Sequence, residues 1–140
     1  MTKAQELPIY KQSYELLLQL TKITQNFPRN FKIGIASDLS KNAQDVVLYI
    51  LKVNVSKDIN NKIVFIEYII DKLTVINLLL RISTDLKLIS PAQFGNISIM
   101  AVNVLKQAQG WLKYYRPLTS KHVWLRSMCQ CELFGFGRAH

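Results

Sequence analysis

The residues that could bind a metal ion are few and lie near the end of the chain. His122 and His140 are the two histidines, and Cys129 and Cys131 are the two cysteines. Together they could supply the nitrogen and sulfur ligands of a zinc ion. Structural zinc sites usually separate paired cysteines by two or more residues, so two free thiols are the simpler interpretation. We therefore predict neither a metal nor a cofactor.

Catalytic arrangements are nearly absent from the sequence. A Ser-His-Asp or Cys-His arrangement needs a histidine held in fixed geometry, whereas both histidines lie in the final segment. Two carboxylate pairs occur at helical spacing, Asp38 with Asp45 and Glu67 with Asp71, and solvated helix faces explain them more simply. The sequence contains no Walker loop and no Gly-x-Gly-x-x-Gly motif. We expect a protein that is not an enzyme.

Positive charge is the strongest functional signal. The chain carries 18 Lys and Arg against 9 Asp and Glu, for a net charge of +9. Such an excess attracts polyanions and predicts salt-sensitive, largely sequence-independent binding to RNA or DNA. No aromatic stacking positions stand out on the predicted helices, so the sequence does not support readout of single strands. The candidate phosphate contacts are Lys32, Lys41, Lys52, Lys57, Lys62, Lys72, Arg81, Lys106, Lys113 and Arg116.

The sequence does not favour a membrane partner. The most apolar stretch, Ile63–Ile82, is interrupted by charged residues, so no run of about 18 apolar residues exists. The first residues lack the apolar core of a secretory signal. The closely spaced cysteines agree with a reducing compartment. We therefore expect a cytoplasmic protein.

The positions of Pro and Gly leave room for four long helices. The first begins near Pro8 and ends at Phe27-Pro28, because proline disfavours helical geometry in the residue before it. The second runs from Arg29 or Asn30 to Asn54. Its predicted core row is Leu39, Ala43, Val46, Ile50 and Val53.

The third helix starts near Ser56 or Asp58 and reaches about Leu86. Its β-branched residues would allow a strand, but helical periodicity decides against one. Two adjacent apolar rows run along it. The first is Ile63, Ile66, Ile70, Leu73 and Leu80, and the second is Phe65, Ile69, Ile76, Leu79 and Leu86.

The fourth helix has the clearest start in the sequence. Ser90-Pro91-Ala92-Gln93 is a capping-box pattern, with proline at the first helical position. Its apolar seam then repeats every three or four residues up to Tyr115. The links between all four helices are short, which makes consecutive helices antiparallel neighbours. The sequence thus predicts an all-α, up-down-up-down four-helix bundle.

The second and third helices carry more apolar residues than one bundle needs. We therefore predict a homo-oligomer, with heterologous contacts that close into a ring as one option. The candidate interface residues are Val47, Leu48, Leu51, Phe65, Ile69, Ile76 and Leu79. After Tyr115 the periodicity stops, so residues 1–115 form the predicted bundle domain and residues 116–140 a flexible C-terminal extension.

Several segments resemble the accessory variability determinant proteins of diversity-generating retroelements. They are Leu7-Pro8-Ile9-Tyr10-Lys11, Tyr14-Glu15-Leu16-Leu17-Leu18, Asn26-Phe27-Pro28-Arg29-Asn30-Phe31 with Gly34 and Leu39 after it, and Gly110-Trp111-Leu112-Lys113. The resemblance covers about residues 7–115. It extends to the wider four-helix superfamily, whose members include proteins encoded by intervening sequences in 23S ribosomal RNA genes and share the Phe-Pro turn.

The resemblance implies a basic four-helix bundle that assembles as a pentameric ring. It also implies a non-catalytic protein that binds a reverse transcriptase and nucleic acid, in support of mutagenic cDNA synthesis and retrohoming. The family has no short catalytic motif to transfer to this chain. Two alternatives stay open: a ribosomal-RNA-associated bundle of the 23S intervening-sequence type, and a purely structural oligomer whose charge only aids solubility.

Overall fold

A computed structural model describes residues 7–118 of the chain. Helix α1 spans Pro8–Thr24, with proline in its first turn, where the absent N–H has no helical partner to lose. Its buried face includes Ile9, Leu16 and Leu20. The helix ends before Phe27 and Pro28, as predicted, and Phe27 is buried.

The second helical region begins at Arg29 and contains an irregularity that the sequence did not predict. A short turn, Arg29–Phe31, leads into a π-helical segment, Lys32–Ala36, and then into helix α2, Ser37–Val55. The predicted core row of α2 is confirmed, since its five members are buried.

Helix α3 spans Ile59–Asp85. Its N-cap is Asp58, whose carboxylate accepts a hydrogen bond from the backbone N–H of Asn60 at 3.0 Å. The first predicted apolar row lies in the core. The strand alternative is excluded, because the whole segment is helical.

The link after α3 closes as a Schellman motif. The backbone N–H of Leu88 donates to the Ser83 carbonyl at 2.8 Å, and that of Lys87 donates to the Thr84 carbonyl at 3.0 Å. Lys87 occupies the left-handed position with φ of 60°, a position that glycine fills most readily because it has no Cβ.

Replacing this residue with glycine is expected to stabilise the fold. Lys87→Gly removes a left-handed strain of about 1–2 kcal/mol, partly offset by the greater freedom of glycine in the unfolded chain. We expect a net gain of about 0.5–1 kcal/mol in the free energy of unfolding, measured by urea denaturation at equal protein concentration. Lys87→Ala keeps the Cβ and serves as the control. Equal stability of the two variants would contradict this explanation.

Helix α4 spans Pro91–Tyr115 and begins with the predicted capping box. The Gln93 backbone N–H donates to Ser90 Oγ at 3.1 Å, and the Ser90 backbone N–H donates to Gln93 Oε1 at 2.9 Å. A short 3-10 turn, Arg116–Leu118, follows.

The four long helices pack in the cyclic order α1–α2–α3–α4–α1. α2 and α3 run antiparallel, since Tyr49 contacts Phe65 while Asp45, one turn earlier on α2, pairs with Lys72, two turns later on α3. α3 and α4 also run antiparallel, since Lys62 lies over Tyr115 and Arg81 lies over Phe94. One continuous core of aliphatic side chains fills the space between them. Within residues 7–118 the structure is all-helical, which confirms the predicted four-helix architecture.

Candidate nucleic-acid interface

The ten Lys and Arg predicted to contact phosphate differ in their availability. Lys62, Lys72 and Arg116 are partly buried. The other seven are exposed: Lys32, Lys41, Lys52, Lys57, Arg81, Lys106 and Lys113. An exposed ammonium or guanidinium keeps its hydration and can exchange its counterions for a phosphate. These seven therefore form the available set.

Lys62 is engaged within the protein. Its Nζ donates a hydrogen bond to the Val53 carbonyl at 2.9 Å and lies 5.4 Å from the centroid of the Tyr115 ring. A lysine beside the last carbonyls of a helix stabilises that end of the helix. Lys62 thus joins the end of α2 to the start of α3 and the end of α4.

Lys72 forms an ion pair across the α2–α3 groove. Its Nζ lies 3.4 Å from Asp45 Oδ2, and the two side chains are 32% and 29% exposed. A pair this open to solvent contributes at most about 1 kcal/mol to stability. Its main consequence here is local neutrality, because Lys72 offsets the nearest carboxylate on α2.

Two of the exposed cations lie over aromatic rings. Lys52 Nζ is 4.8 Å from the Tyr49 centroid and 5.8 Å from the Phe65 centroid. The Arg81 guanidinium carbon is 5.8 Å from the Phe94 centroid. Exposed cation–π contacts of this kind are worth about 0.5–1 kcal/mol. They hold the side chains over the rings while both cations stay exposed.

The topology places six of the seven exposed cations toward the two ends of the bundle. Lys52, Lys57 and Lys113 lie where α2 ends, α3 begins and α4 ends. Lys32, Lys41 and Arg81 lie toward the opposite end. Residues 7–118 contain 14 Lys and Arg against 7 Asp and Glu, so the positive excess belongs to the bundle itself.

One carboxylate differs from its expected environment. We expected Glu67 and Asp71 to share a solvated face, but Glu67 is only 5% exposed, so that interpretation is wrong for Glu67. Its position explains the burial, since it lies one helical turn after Ile63 and one turn before Ile70, both of which are buried. Asp71 is partly exposed.

An aromatic cluster lies on the α2–α3 surface, where we expected no stacking positions. It consists of Tyr49, Phe65 and Tyr68, and we refer to it as the aromatic cluster. The Tyr49 and Tyr68 rings stack at 5.2 Å with an interplanar angle of 18°, and Tyr49 and Phe65 lie 5.9 Å apart. Tyr68 is 45% exposed. The i, i+3 spacing of Phe65 and Tyr68 on α3, facing Tyr49 on an antiparallel neighbour, is the signal that identifies it.

The predicted oligomer-interface residues fall into three groups. Ile69 and Ile76 are fully buried in the core of one chain, so they leave no surface for a second copy to contact. Leu48 is 46% exposed. Val47, Leu51, Phe65 and Leu79 are partly buried.

An exposed apolar row follows the outer side of α3. Spacings of three, four, seven and eight residues place its members along one face, which we call the α3 stripe. Its most exposed member is Leu78, at 59%. The exposed members are Val64, Tyr68, Val75, Leu78 and, just past the helix end, Leu86.

The candidate zinc ligands, His122, Cys129, Cys131 and His140, lie outside the described residues. Within 7–118, no three His, Cys, Asp or Glu side chains come together as a metal site would require.

A shallow, open depression of about 300 Å³ lies where α1 meets the π-helical segment, lined by Thr21, Thr24, Gln25, Lys32, Ala36 and Ser37. None of the helices in this part of the chain has the length and apolar character needed to cross a membrane.

Comparison of the chain with models of known protein families gives no match, and neither does comparison with curated proteins.

Proposed function

We propose that this chain is a non-catalytic accessory protein of a diversity-generating retroelement. It binds RNA or DNA through the exposed Lys and Arg of its helices and binds the element's reverse transcriptase. In this role it supports mutagenic cDNA synthesis and retrohoming. The observation that carries the proposal is the seven exposed cations on a helical bundle that has twice as many basic as acidic residues.

The structure supports the proposal because residues of the resembling segments lie at defined positions of the fold. These positions are the helical core, the connection after α1 and the end of α4. Phe27 is buried and Pro28 directly precedes the second helical region. Leu39 is a core residue of α2. Trp111, in the closing segment, is partly buried and packs against the core near the end of α4. The resemblance thus covers both the first connection and the last helix.

The proposed assembly is a ring of five copies, as the resemblance implies. The α3 stripe supports self-association, because exposed apolar rows on one helix face are typical of surfaces that a partner covers. Leu48 on α2 is a further exposed apolar residue. A ring would also place several copies of the positive surface around one axis, which raises the local field that phosphates meet.

Co-purification tests the proposed function. The chain and the reverse transcriptase encoded beside its gene would be co-expressed, with an affinity tag on the polymerase alone. We expect the chain to elute with the polymerase after nuclease treatment, as the proposed direct contact between the two proteins requires. An unrelated tagged reverse transcriptase is the control. Absence of an adjacent reverse transcriptase gene, or co-elution with intact ribosomal subunits instead, would favour the ribosomal alternative.

A further inference from the structure

We propose that the aromatic cluster of Tyr49, Phe65 and Tyr68 is a stacking site for an unpaired base of single-stranded RNA or DNA. This inference rests on the proposed nucleic-acid binding and adds the class of nucleic acid that the surface prefers. Nothing in the charge pattern alone distinguishes single strands from duplexes, because phosphates are common to both.

The first step concerns the rings. Tyr49 and Tyr68 are nearly parallel, with 18° between their planes and 5.2 Å between their centroids. Tyr68 is held against Tyr49 and yet remains 45% exposed. A nucleobase is a planar ring that can continue such a stack over an exposed aromatic side chain.

The second step concerns the charges around the rings. Lys52 lies over Tyr49 and Phe65 and is exposed, so it can meet the phosphate beside a stacked base. Lys72 pairs with Asp45 at 3.4 Å and offsets the carboxylate that would otherwise repel that phosphate. The cluster therefore combines a stacking surface with an available cation, the two elements of single-strand binding sites.

The third step concerns the strand itself. Bases within a duplex are already paired and stacked on their neighbours, so they present no free face on which a tyrosine ring could stack. An unpaired base offers both faces. A second copy of this chain is the competing occupant, because Tyr68 also belongs to the α3 stripe. Leu78 lies ten residues farther along the helix, about 15 Å away, which leaves room for separate uses of the two parts of the stripe.

Binding measurements on Tyr68 variants test the proposal. The probe is a fluorescently labelled oligouridine of about 16 nucleotides, the upper end of the site sizes of small single-strand-binding folds. A duplex of the same length is measured in parallel by anisotropy. For Tyr68→Ala we expect between about a 5-fold and a 100-fold loss of affinity for the single strand. Affinity for the duplex should stay unchanged, since its phosphates meet the same cations.

Two variants serve as controls. Tyr68→Phe keeps the ring and should keep the affinity. Tyr14→Ala removes another exposed tyrosine that stacks on a neighbour, Tyr10, at 6.3 Å, but on α1 beside Glu15; it should leave the affinity unchanged. Since Tyr68 is nearly half exposed, circular dichroism should show that all three proteins remain folded at the temperature of the binding assay.

The outcomes separate this inference from the proposed function. Equal losses on single strand and duplex, or no loss for Tyr68→Ala while the unaltered chain binds both, would overturn the stacking site and leave nucleic-acid binding intact. Binding of neither probe by the unaltered chain would overturn both. A change in oligomeric mass for Tyr68→Ala would assign the ring to a contact between copies and overturn the stacking site.

Photochemical crosslinking supplies a second readout. Oligouridine that carries 5-iodouridine should attach to the ring on which the modified base stacks. Mass spectrometry is expected to find the adduct on the peptide that contains Tyr68. An adduct confined to peptides of α1 or α4 would contradict the assignment.

Discussion

Reversing Lys41, Lys52 and Arg81 to Glu in one protein is expected to lower its affinity for RNA or DNA at least about 100-fold. All three side chains are exposed, two on α2 and one on α3. A contact between unit charges about 4 Å apart in water is worth about 1 kcal/mol, so three lost attractions alone correspond to roughly a 100-fold change. The new carboxylates then repel the same phosphates and add to the loss.

Salt titration distinguishes direct contact from a general field effect. The neutral variant Lys41→Gln, Lys52→Gln, Arg81→Gln should reduce the slope of log affinity against log salt by about 2.7 for duplex DNA, at about 0.9 for each phosphate contact. Anisotropy at several salt concentrations measures this slope. An unchanged slope would show that none of the three residues neutralises a phosphate.

A matched triple reversal at exposed residues outside the predicted phosphate contacts controls for total charge. Lys11→Glu, Lys22→Glu and Arg29→Glu change the net charge by the same amount, and all three residues are exposed. We expect a smaller loss of affinity from this variant, because none of the three residues is among the predicted phosphate contacts. Equal losses from both triple variants would mean that the field of the whole chain, and not the predicted contacts, controls binding.

Replacing Leu78 with aspartate is expected to convert the assembled protein into monomers. Leu78 is 59% exposed in one chain and lies within the α3 stripe. A carboxylate buried against an apolar partner costs several kcal/mol of desolvation, which a contact between copies cannot absorb. In the single chain the same substitution is exposed, so the fold should stay intact.

Mass measurement checks this expectation. The unaltered chain should sediment at a multiple of 16.1 kDa, and at five times that value for the pentameric ring, while Leu78→Asp sediments at 16.1 kDa. Asn26→Asp adds the same charge at an exposed position just after α1, away from the α3 stripe, and should leave the assembly unchanged. A monomeric unaltered chain at micromolar concentration would contradict the proposed assembly.

Features set by neighbouring residues were predictable from the sequence. The capping box at Ser90 depends on two side chains within four positions, and the start of α1 depends on one proline. The core row of α2 follows from a repeat of three or four residues. The π-helical segment Lys32–Ala36 was not predictable, because no residue pattern within it distinguishes a π-helix from an α-helix.

Features set by packing between helices were predicted less well. α3 packs against both α2 and α4, so its buried face is wide and includes Ile69 and Ile76. Helical periodicity alone had assigned these two residues to a contact with a second copy of the chain. Glu67 is buried within the same wide face. The aromatic cluster escaped prediction because its rings come from two helices, and their contact depends on the register of α2 against α3.

The cyclic order of the helices has a kinetic consequence. Three of the four neighbouring pairs join helices that are consecutive in the chain, so their contacts form by closing short links. The fourth pair, α1 with α4, joins the two ends of the described chain, where Gln107 donates to Gln12. Helical bundles with mainly local contacts fold in microseconds to milliseconds. The contact between α4 and α1 closes the longest loop, so we expect it to form last during folding.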